Sequence, residues 1–520
     1  MTNRTKLSVE PLEDRAVPAS FTTAMSGLDN PRGLAFGPEG ALYVAEAGRG
    51  GDGPSIEIRP GVFASYGTSG AVSRLWHGHQ ERVATGLPSL IAPDGATGPH
   101  DISFQGRGNA YVTVGLGTNP TRRSELGEVG AGFAQLVRLE PNGNWQNASD
   151  IGANEAAVNP GGGPLDSNPY GVLAEAGGQV VVDAGGNALL RVAANGDVST
   201  LAEFPSRDDG RPTDAVPTCV TRGPDGAYYV GELTGVPFAA GAARIYRVVP
   251  GQAPEVVHTG FKTIIDLDFG PDGSLYVLQH ATGPFLSGNG SLIRVAPDGT
   301  RTPIEVDGLT LTRPTSVLVA DDGAIYVTNR GISVGTGEVI RITLGPARVE
   351  SVVVNDGAAQ RSMINGITVT FGGSVVVDPG AIELRRQDGT LVDARVSISL
   401  VGGKTVAVLT FAGSEFVGGS LADGGYTLSV RADRVHDRWG RELDGDGDGV
   451  AGGDRVDGFT RLFGDSDGDG DVDQQDRDRF RSAFGTGASD AGYLWYFDSD
   501  GDGDVDGHDN GQFNRQFGQY

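Results

Sequence analysis

The sequence predicts a mainly β protein: a six-bladed β-propeller, then a β-sandwich, then a small α-helical module. Three observations predict it. The first is a phrase that recurs six times: GLAFGPEGALYV (33–44), DISFQGRGNAYV (101–112), GVLAEAGGQVVV (171–182), CVTRGPDGAYYV (219–230), GPDGSLYV (270–277) and SVLVADDGAIYV (316–327). Each reads as a buried strand end, a tight turn whose glycine tolerates positive φ, and a second strand of β-favouring residues. The turn glycines 40, 108, 178, 226, 273 and 323 are 68, 70, 48, 47 and 50 residues apart. A repeat of about 40–50 residues with four short strands is the signature of a propeller blade, and the two wide intervals mark enlarged blades. The second observation is the apolar–polar alternation of residues 347–440. The third is a pair of acidic twelve-residue loops near the carboxyl end, each running into a short amphipathic segment.

Composition narrows the function classes. Glycine is abundant (84 of 520 residues) and the formal net charge is −26. Residues 441–520 hold 20 Asp and Glu against 7 Arg and no Lys, so about half of that charge lies in the last 80 residues. Nucleic acid is excluded as a partner because phosphate backbones need basic footprints; bound cations are favoured. Cys219 is the single cysteine, so the chain forms no internal disulfide, and it reads as a small buried hydrophobe in a strand. No stretch has the apolar length of a membrane span. Residues 1–20 lack a signal-peptide apolar core. Their LSVEPLEDRAVPA (7–19) resembles an amino-terminal segment common in extracytoplasmic proteins of planctomycete-type bacteria, which implies export to the exterior or cell surface.

The propeller is expected over 21–346. FTTAMSGL (21–28) looks like a lone outer strand, whereas the last repeat ends at EVIRITLG (338–345) without one. The two should pair and close the ring, removing an open sheet edge. Each blade reads as inner strand, turn, second strand, variable loop, an Arg-bearing third strand such as SLIRVA (291–296), and an outer strand. The long connections 46–70, 115–134, 232–242, 279–290 and 329–337 join second to third strands, and 88–99, 151–168 and 205–216 join blades. In an antiparallel meander these emerge on one face, which is where a ligand site is expected. On that face fall Glu46, His100, Asp101, Asn168, Asp183, Glu232, Asp266, His280 and Arg330. A carboxylate–Asn set there suits a second divalent ion as Lewis acid, with His100 or His280 as base. The plainer alternative is that these carboxylates bond loop amides and the histidines are satisfied structural groups. No serine-elbow, Walker or zinc-helix motif occurs.

Residues 347–440 carry six or seven strands and read as a sandwich. Their LADGGYTLSVRADRVHDRWGREL (421–443) resembles the closing strands of bacterial immunoglobulin-like modules, which implies spacer or adhesive use. Residues 441–464 read as an acidic linker and 465–520 as a calcium module. DSDGDGDVDQQD (465–476) and DSDGDGDVDGHD (498–509) place Asp at positions 1, 3, 5, 7, 9 and 12 around a glycine at position 6, a spacing that can wrap one calcium ion. The ligands expected are Asp465, Asp467, Asp469 and Asp476, then Asp498, Asp500, Asp502 and Asp509. Asp471 and Asp504 would serve through their carbonyls, Asp473 and Asp506 directly or through water. The helices expected after them, 477–484 and 509–517, put Phe480, Phe484, Phe513 and Phe517 on one face. The pair resembles dockerin-type or EF-hand modules, implying a protein partner; the final Asp, where EF-hands usually carry Glu, favours the dockerin comparison. The bland alternative is a disordered acidic tail. A degenerate third loop (443–457) offers Asp444, Asp446, Asp448 and Asp454 to a third ion, or is a solvated joint.

SGLDNPRGLAFGPEGALYVAEAG (26–48), NAYVTVGLGTNP (109–120), SNPYGVLAEAGG (167–178), DAGGNALLRV (183–192) and YYVGELTGVPFAAGAARIYRV (228–248) are similar to the ScyD/ScyE family of bacterial propeller proteins over about 21–345. That resemblance implies the fold; members lie near pathways for the pigment scytonemin in some bacteria. Two functions follow. One is a secreted or cell-surface calcium-binding protein whose propeller is a recognition or scaffold surface for a small molecule or glycan. The alternative is a divalent-metal-dependent propeller enzyme, a lactonase-like hydrolase or lyase.

Overall fold

The computed structural model describes residues 19–106, 108–208, 212–437 and 440–518, so all of the export-associated segment but Ala19 and Ser20 lies outside the described residues. The chain is mainly β and divides into two compact units, Ala19–Leu344 and a second one that includes Gly345 onward.

In the first unit the repeated phrase becomes six successive antiparallel sheets. Their first strands are Pro31–Phe36, Pro99–Gln105, Pro169–Glu175, Pro217–Arg222, Ile264–Phe269 and Ser316–Val319. Each first strand packs beside the first strand of the next sheet, and the sixth returns to the first, so these contacts form a cycle. The sixth sheet takes its outer strand from the start of the unit: Ala19–Leu28 pairs antiparallel with Gly337–Leu344, from Ala19 opposite Leu344 to Leu28 opposite Gly337. This is the pairing expected from the unmatched strand at 21–28.

Within the sheets the recurring acid of the turn and the arginine of the third strand find each other. Asp272 accepts from Arg294 at 2.6 Å and also from Ser274 N and Oγ, while Gly273 adopts φ +74°. Asp225 with Arg247 (2.6 Å), Asp322 with Arg341 (3.1 Å) and Glu39 with Arg74 (3.7 Å) repeat the arrangement. The turn is thus tied to the strand two positions along the sheet.

Some expected loops are folded further. Residues 46–70 contain a hairpin, Ser55–Arg59 against the start of Val62–Trp76. That strand pairs with His79–Ala92, which runs on through the expected connection 88–99 and pairs with Gly95–Thr97. Residues 115–134 hold a 3₁₀ run, Pro120–Gly132, and 151–168 begins with helix Ile151–Val158, capped by Asp150. Cys219 lies buried in a strand, as expected.

In the second unit Val349–Val354, Gly366–Phe371, Lys404–Ala412 and Asp393–Val401 make one sheet, and Ile382–Arg386, Gly424–Val430 and Arg455–Arg461 a second. Ile367, Val369, Phe371 and Leu409 of the first share a core with Leu384, Leu428 and Val430 of the other. The expected boundary at 440 therefore needs correction. Arg455–Arg461 pairs residue by residue with Gly424–Val430, and Phe459 stacks on Tyr426 at 5.6 Å, so the expected linker 441–464 contains a strand of the sheet. Helices Gln474–Ala483 and Gly507–Gln516 follow the two acidic loops and pack Phe480 against Phe513 with ring centroids 4.6 Å apart. Phe484, expected on the packed face, is 50% exposed because it lies just beyond the helix end.

A chain beginning at residue 30 exposes the Gly337–Leu344 edge. We expect it to lose the single cooperative thermal transition of the first unit, followed by circular dichroism; an unchanged melt would refute closure by Ala19–Leu28.

Candidate functional site

The first strands have an edge with no strand partner, so their amides need other acceptors. For the first, third and sixth sheets, side chains of the neighbouring sheet supply them. Asp101 accepts from Val172 N (2.8 Å) as well as Ile102 N, and Asp266 from Val317 N (2.9 Å), Ser316 Oγ (2.6 Å) and Leu267 N. Asp268 accepts from Val319 N at 2.7 Å, Ser103 from Ala174 N, and Ser316 from Leu34 N. Thr218 and Thr315 donate in turn to Ile264 O and Pro31 O. Gly33 and Gly171 allow the closest approaches: a Cβ on Gly33 would stand 1.9 Å from Asp101 Oδ1 and 2.6 Å from its Cα.

At the start of these strands the proline-led steps Pro31-Arg32, Pro99-His100 and Pro169-Tyr170 bring three polar side chains into one electrostatic neighbourhood. Arg32 is 7% exposed, donates to Ala96 O (2.8 Å) and Gly331 O, and its Nε has no partner. His100 is 3% exposed; its Nδ1 lies 3.1 Å from Pro169 O, and its ring 4.5 Å from that of Tyr170. His280 makes the matching bond to Pro314 O at 2.9 Å. A carbonyl only accepts, so both imidazoles carry the proton on Nδ1 and present the Nε2 lone pair. Burial, then the Arg32 charge, lowers His100 to about 3; burial foremost lowers His280 to about 4. Both rings are neutral at physiological pH. Burial raises Asp101 well above the carboxylate range, helped by Asp266, and raises Asp266 to about 6. Beside Arg32 a cleft of about 210 Å³ is lined by Ala96, Thr97 and Gly117 among others.

The structure sorts the expected residues. His100, Asp101, Asp266 and His280 belong to this neighbourhood. Glu46, Asp183 and Glu232 have oxygens engaged elsewhere. Glu46 accepts from Arg82, Ser73 and Asp29 N; Glu232 from Arg244 and Tyr246; Asp183 from Ser167, Asn168 N, Gly185 N and Gly186 N. Asn168 accepts from Leu116 N, and Arg330 pairs with Glu338 at 3.3 Å. Among the described residues, Glu46, Asp183 and Glu232 fall in none of the groups of three or more carboxylate, imidazole or thiolate atoms that lie within 4.8 Å of one another. Sequence reasoning missed Arg32 and Tyr170. The repeated proline before the inner strand (31, 99, 169, 217, 314) was the signal that aligns them with His100.

In the second unit the acidic loops fold back on themselves. Asp465 accepts from Gly468 N (2.6 Å) and Gly470 N (3.1 Å), and Asp476 from Ser466 and Asp473 N. Asp498 and Asp509 repeat this with Gly501, Gly503, Ser499 and Asp506. Burial raises Asp465 to about 6. Among the described residues, carboxylate oxygens lie within 4.8 Å of one another in the groups Asp465–Asp467–Asp476, Asp471–Asp473–Asp476, Asp498–Asp500–Asp509, Asp504–Asp506–Asp509 and Asp444–Asp446–Asp448. The side chains of Asp471 and Asp504, expected to act through their carbonyls, lie within these groups. Asp469 and Asp502 stand outside these groups and accept from Asp471 N and Asp504 N. Asp454 is also outside, bonded to Ala432 N at 2.8 Å. Among the described residues no helix is long and apolar enough to cross a membrane.

No protein-family model and no curated protein matches the chain. Solved structures are similar to it in fold. A streptogramin B lyase is 12% identical, with 63% of this chain and 98% of that chain covered and a TM-score of 0.37. Virginiamycin B lyase from Staphylococcus aureus, a catalytically inactive form with quinupristin, is 14% identical (76% and 100% covered, TM-score 0.35). A gluconolactonase from Xanthomonas campestris is 14% identical (63% and 90% covered, TM-score 0.32). No residue role passes from them to this chain.

Gly33→Ala should lower stability by about 1–3 kcal/mol or more, because the contact with Asp101 backbone leaves the new methyl no room. At the open turn of Gly40, Ala should cost only the positive-φ penalty, about 1 kcal/mol. Urea denaturation of both variants measures the difference.

Proposed function

We propose that residues 19–344 are a six-bladed β-propeller of ScyD/ScyE type, carried on an exported chain with an immunoglobulin-like sandwich and a dockerin-type or EF-hand calcium module. For the propeller we propose an enzyme, a lactonase-like hydrolase or lyase acting at the mouth of the ring on the loop-bearing face. The observation that carries this is the pair of neutral imidazoles, His100 and His280, each held at Nδ1 by a backbone carbonyl and each within the field of the Arg32 charge. In this reading His100 takes the proton from water or substrate, and Tyr170 supports its ring. The low proton affinity of His100 owes part of its depression to Arg32, so an anionic substrate that offsets that charge raises the affinity toward the working range. A recognition surface without turnover is the second reading. It is favoured by Glu46, Asp183 and Glu232, whose hydrogen bonds already serve loops and strand ends.

The full chain should be screened by pH-stat against small lactones and esters, with lyase substrates followed by absorbance. His100→Gln should reduce turnover by about 100-fold or more, the scale of a lost general base; equal rates would exclude the enzyme reading through this residue.

For the acidic loops we propose two calcium sites, with a third at Asp444, Asp446 and Asp448, and docking to a protein partner as the module's use. Their clustered carboxylates repel one another without an ion, so binding becomes folding energy. Calorimetric titration of the full chain should show calcium uptake that falls by two equivalents in the Asp465→Asn/Asp498→Asn variant. Unchanged uptake would exclude these loops as the sites.

A further inference from the structure

The connection between the second and third sheets is built around oxygen atoms that have no donor. Helix Ile151–Val158 ends at Asn159 in the left-handed region (φ 45°), and the chain then passes over the turn at Gly185–Asn187. The approach is close: a Cβ on Gly161 would stand 2.3 Å from Gly186 O. From the helix, Glu155 points inward and is 2% exposed. Its Oε1 is shielded from solvent and has no hydrogen-bond partner, and the same is true of Asn159 Oδ1 and Asp166 Oδ1. Asp183, 1% exposed and already bonded to Ser167 and three loop amides, adds its negative charge beside them.

Two adjacent glycines make the room. A Cβ on Gly186 would lie 2.8 Å from Glu155 Oε2 and 3.3 Å from Asp183 Oδ2, and one on Gly185 would lie 2.8 Å from Asp166 Oδ1. Any other residue at either place would intrude on the carboxylates. No described ion pair reaches Glu155, Asp166 or Asp183, and Asp214 adds a further negative charge to the neighbourhood of Asp166.

Buried carboxylates without counter-charge are strongly unfavourable, and a buried polar atom lacking a partner points to an ion or water that completes it. Every unmatched oxygen here is an acceptor, and the set consists of hard carboxylate and amide oxygens. That is the ligand chemistry of calcium. We propose that this cluster binds one calcium ion through Glu155 and Asp166, with Asn159 supplying a further oxygen. Their atoms are spread more widely than in the carboxyl-terminal loops, so uptake draws Glu155 and Asp166 together and fastens the 151–168 connection to the third sheet. The site shares no ligand with the acidic loops or with the His100 proposal, and stands or falls independently of both. The competing way to relieve Glu155 is a proton, with no ion involved.

Equilibrium dialysis of the full chain against calcium tests this in a background of Asp465→Asn and Asp498→Asn. Adding Glu155→Gln should remove one bound equivalent, and adding Asp166→Asn should do the same at a half-buried position where folding is less at stake. Without calcium, Glu155→Gln should melt no lower than its parent, since an uncompensated charge is gone, while the calcium-dependent rise in its melting temperature disappears. Equal stoichiometry and an equal calcium-dependent rise in both variants would overturn the proposal in favour of the protonated carboxyl. Should Glu155→Gln fail to fold, the Asp166→Asn stoichiometry alone decides.

Discussion

The first unit depends on how six unpaired strand edges are satisfied. Each sheet is an ordinary antiparallel meander, and nothing in its own ladder supplies acceptors for the outward amides of its first strand. Asp101 and Ser103 do so for the third sheet, Asp266 and Asp268 for the sixth and Ser316 for the first, at the distances of good hydrogen bonds. These side chains make the ring a set of mutual dependencies rather than six separate packings. They also explain why so few polar groups in this region are free for chemistry: the carboxylates of Asp101, Asp266 and Asp268 are accepting from backbone. The imidazoles of His100 and His280 differ because one nitrogen suffices for the bridge.

Much of the fold was legible in the sequence because it repeats. A turn glycine recurring every 47–70 residues, a Tyr or Val strand after it and an Arg on the third strand are local requirements, and each copy restates them. Ring closure was legible as well, since 21–28 lacked a partner where 338–345 also lacked one. Arg455–Arg461 was not. Its alternation, RVDGFTR, spans seven residues inside an acidic run, and only the register with Gly424–Val430 distinguishes it from a linker. The hairpin at Ser55–Arg59 and the helix at Ile151–Val158 were hidden for the same reason. Each occurs once and is stabilised by what it packs on rather than by a repeated local signal.

The candidate site was legible by half. Searching strand ends for acids and histidines found His100, Asp101, Asp266 and His280, but it equally selected Glu46 and Glu232, whose partners Arg82 and Arg244 lie far enough along the chain that spacing does not reveal them. Arg32 and Tyr170 escaped because an arginine and a tyrosine near glycine carry no motif. Aligning the repeats on their leading proline places them beside His100, which shows that in a repeat protein position within the repeat informs more than residue type.

Among the described residues of the first unit, the buried acids fall into classes according to what relieves them. Glu46 and Glu232 have arginines; Asp101, Asp183 and Asp266 have amides and hydroxyls; Glu155 and Asp166 retain oxygens with neither. The first two classes hold strands and loops in place, and their free energy is already committed to the fold. Only the third has unspent coordination. A carboxylate with its acceptors filled must break a structural bond before it can bind anything, whereas one left open gains from the first cation that reaches it. In a ring whose centre is tied together by its own polar groups, the places still able to take a ligand are therefore those that the backbone has not already claimed.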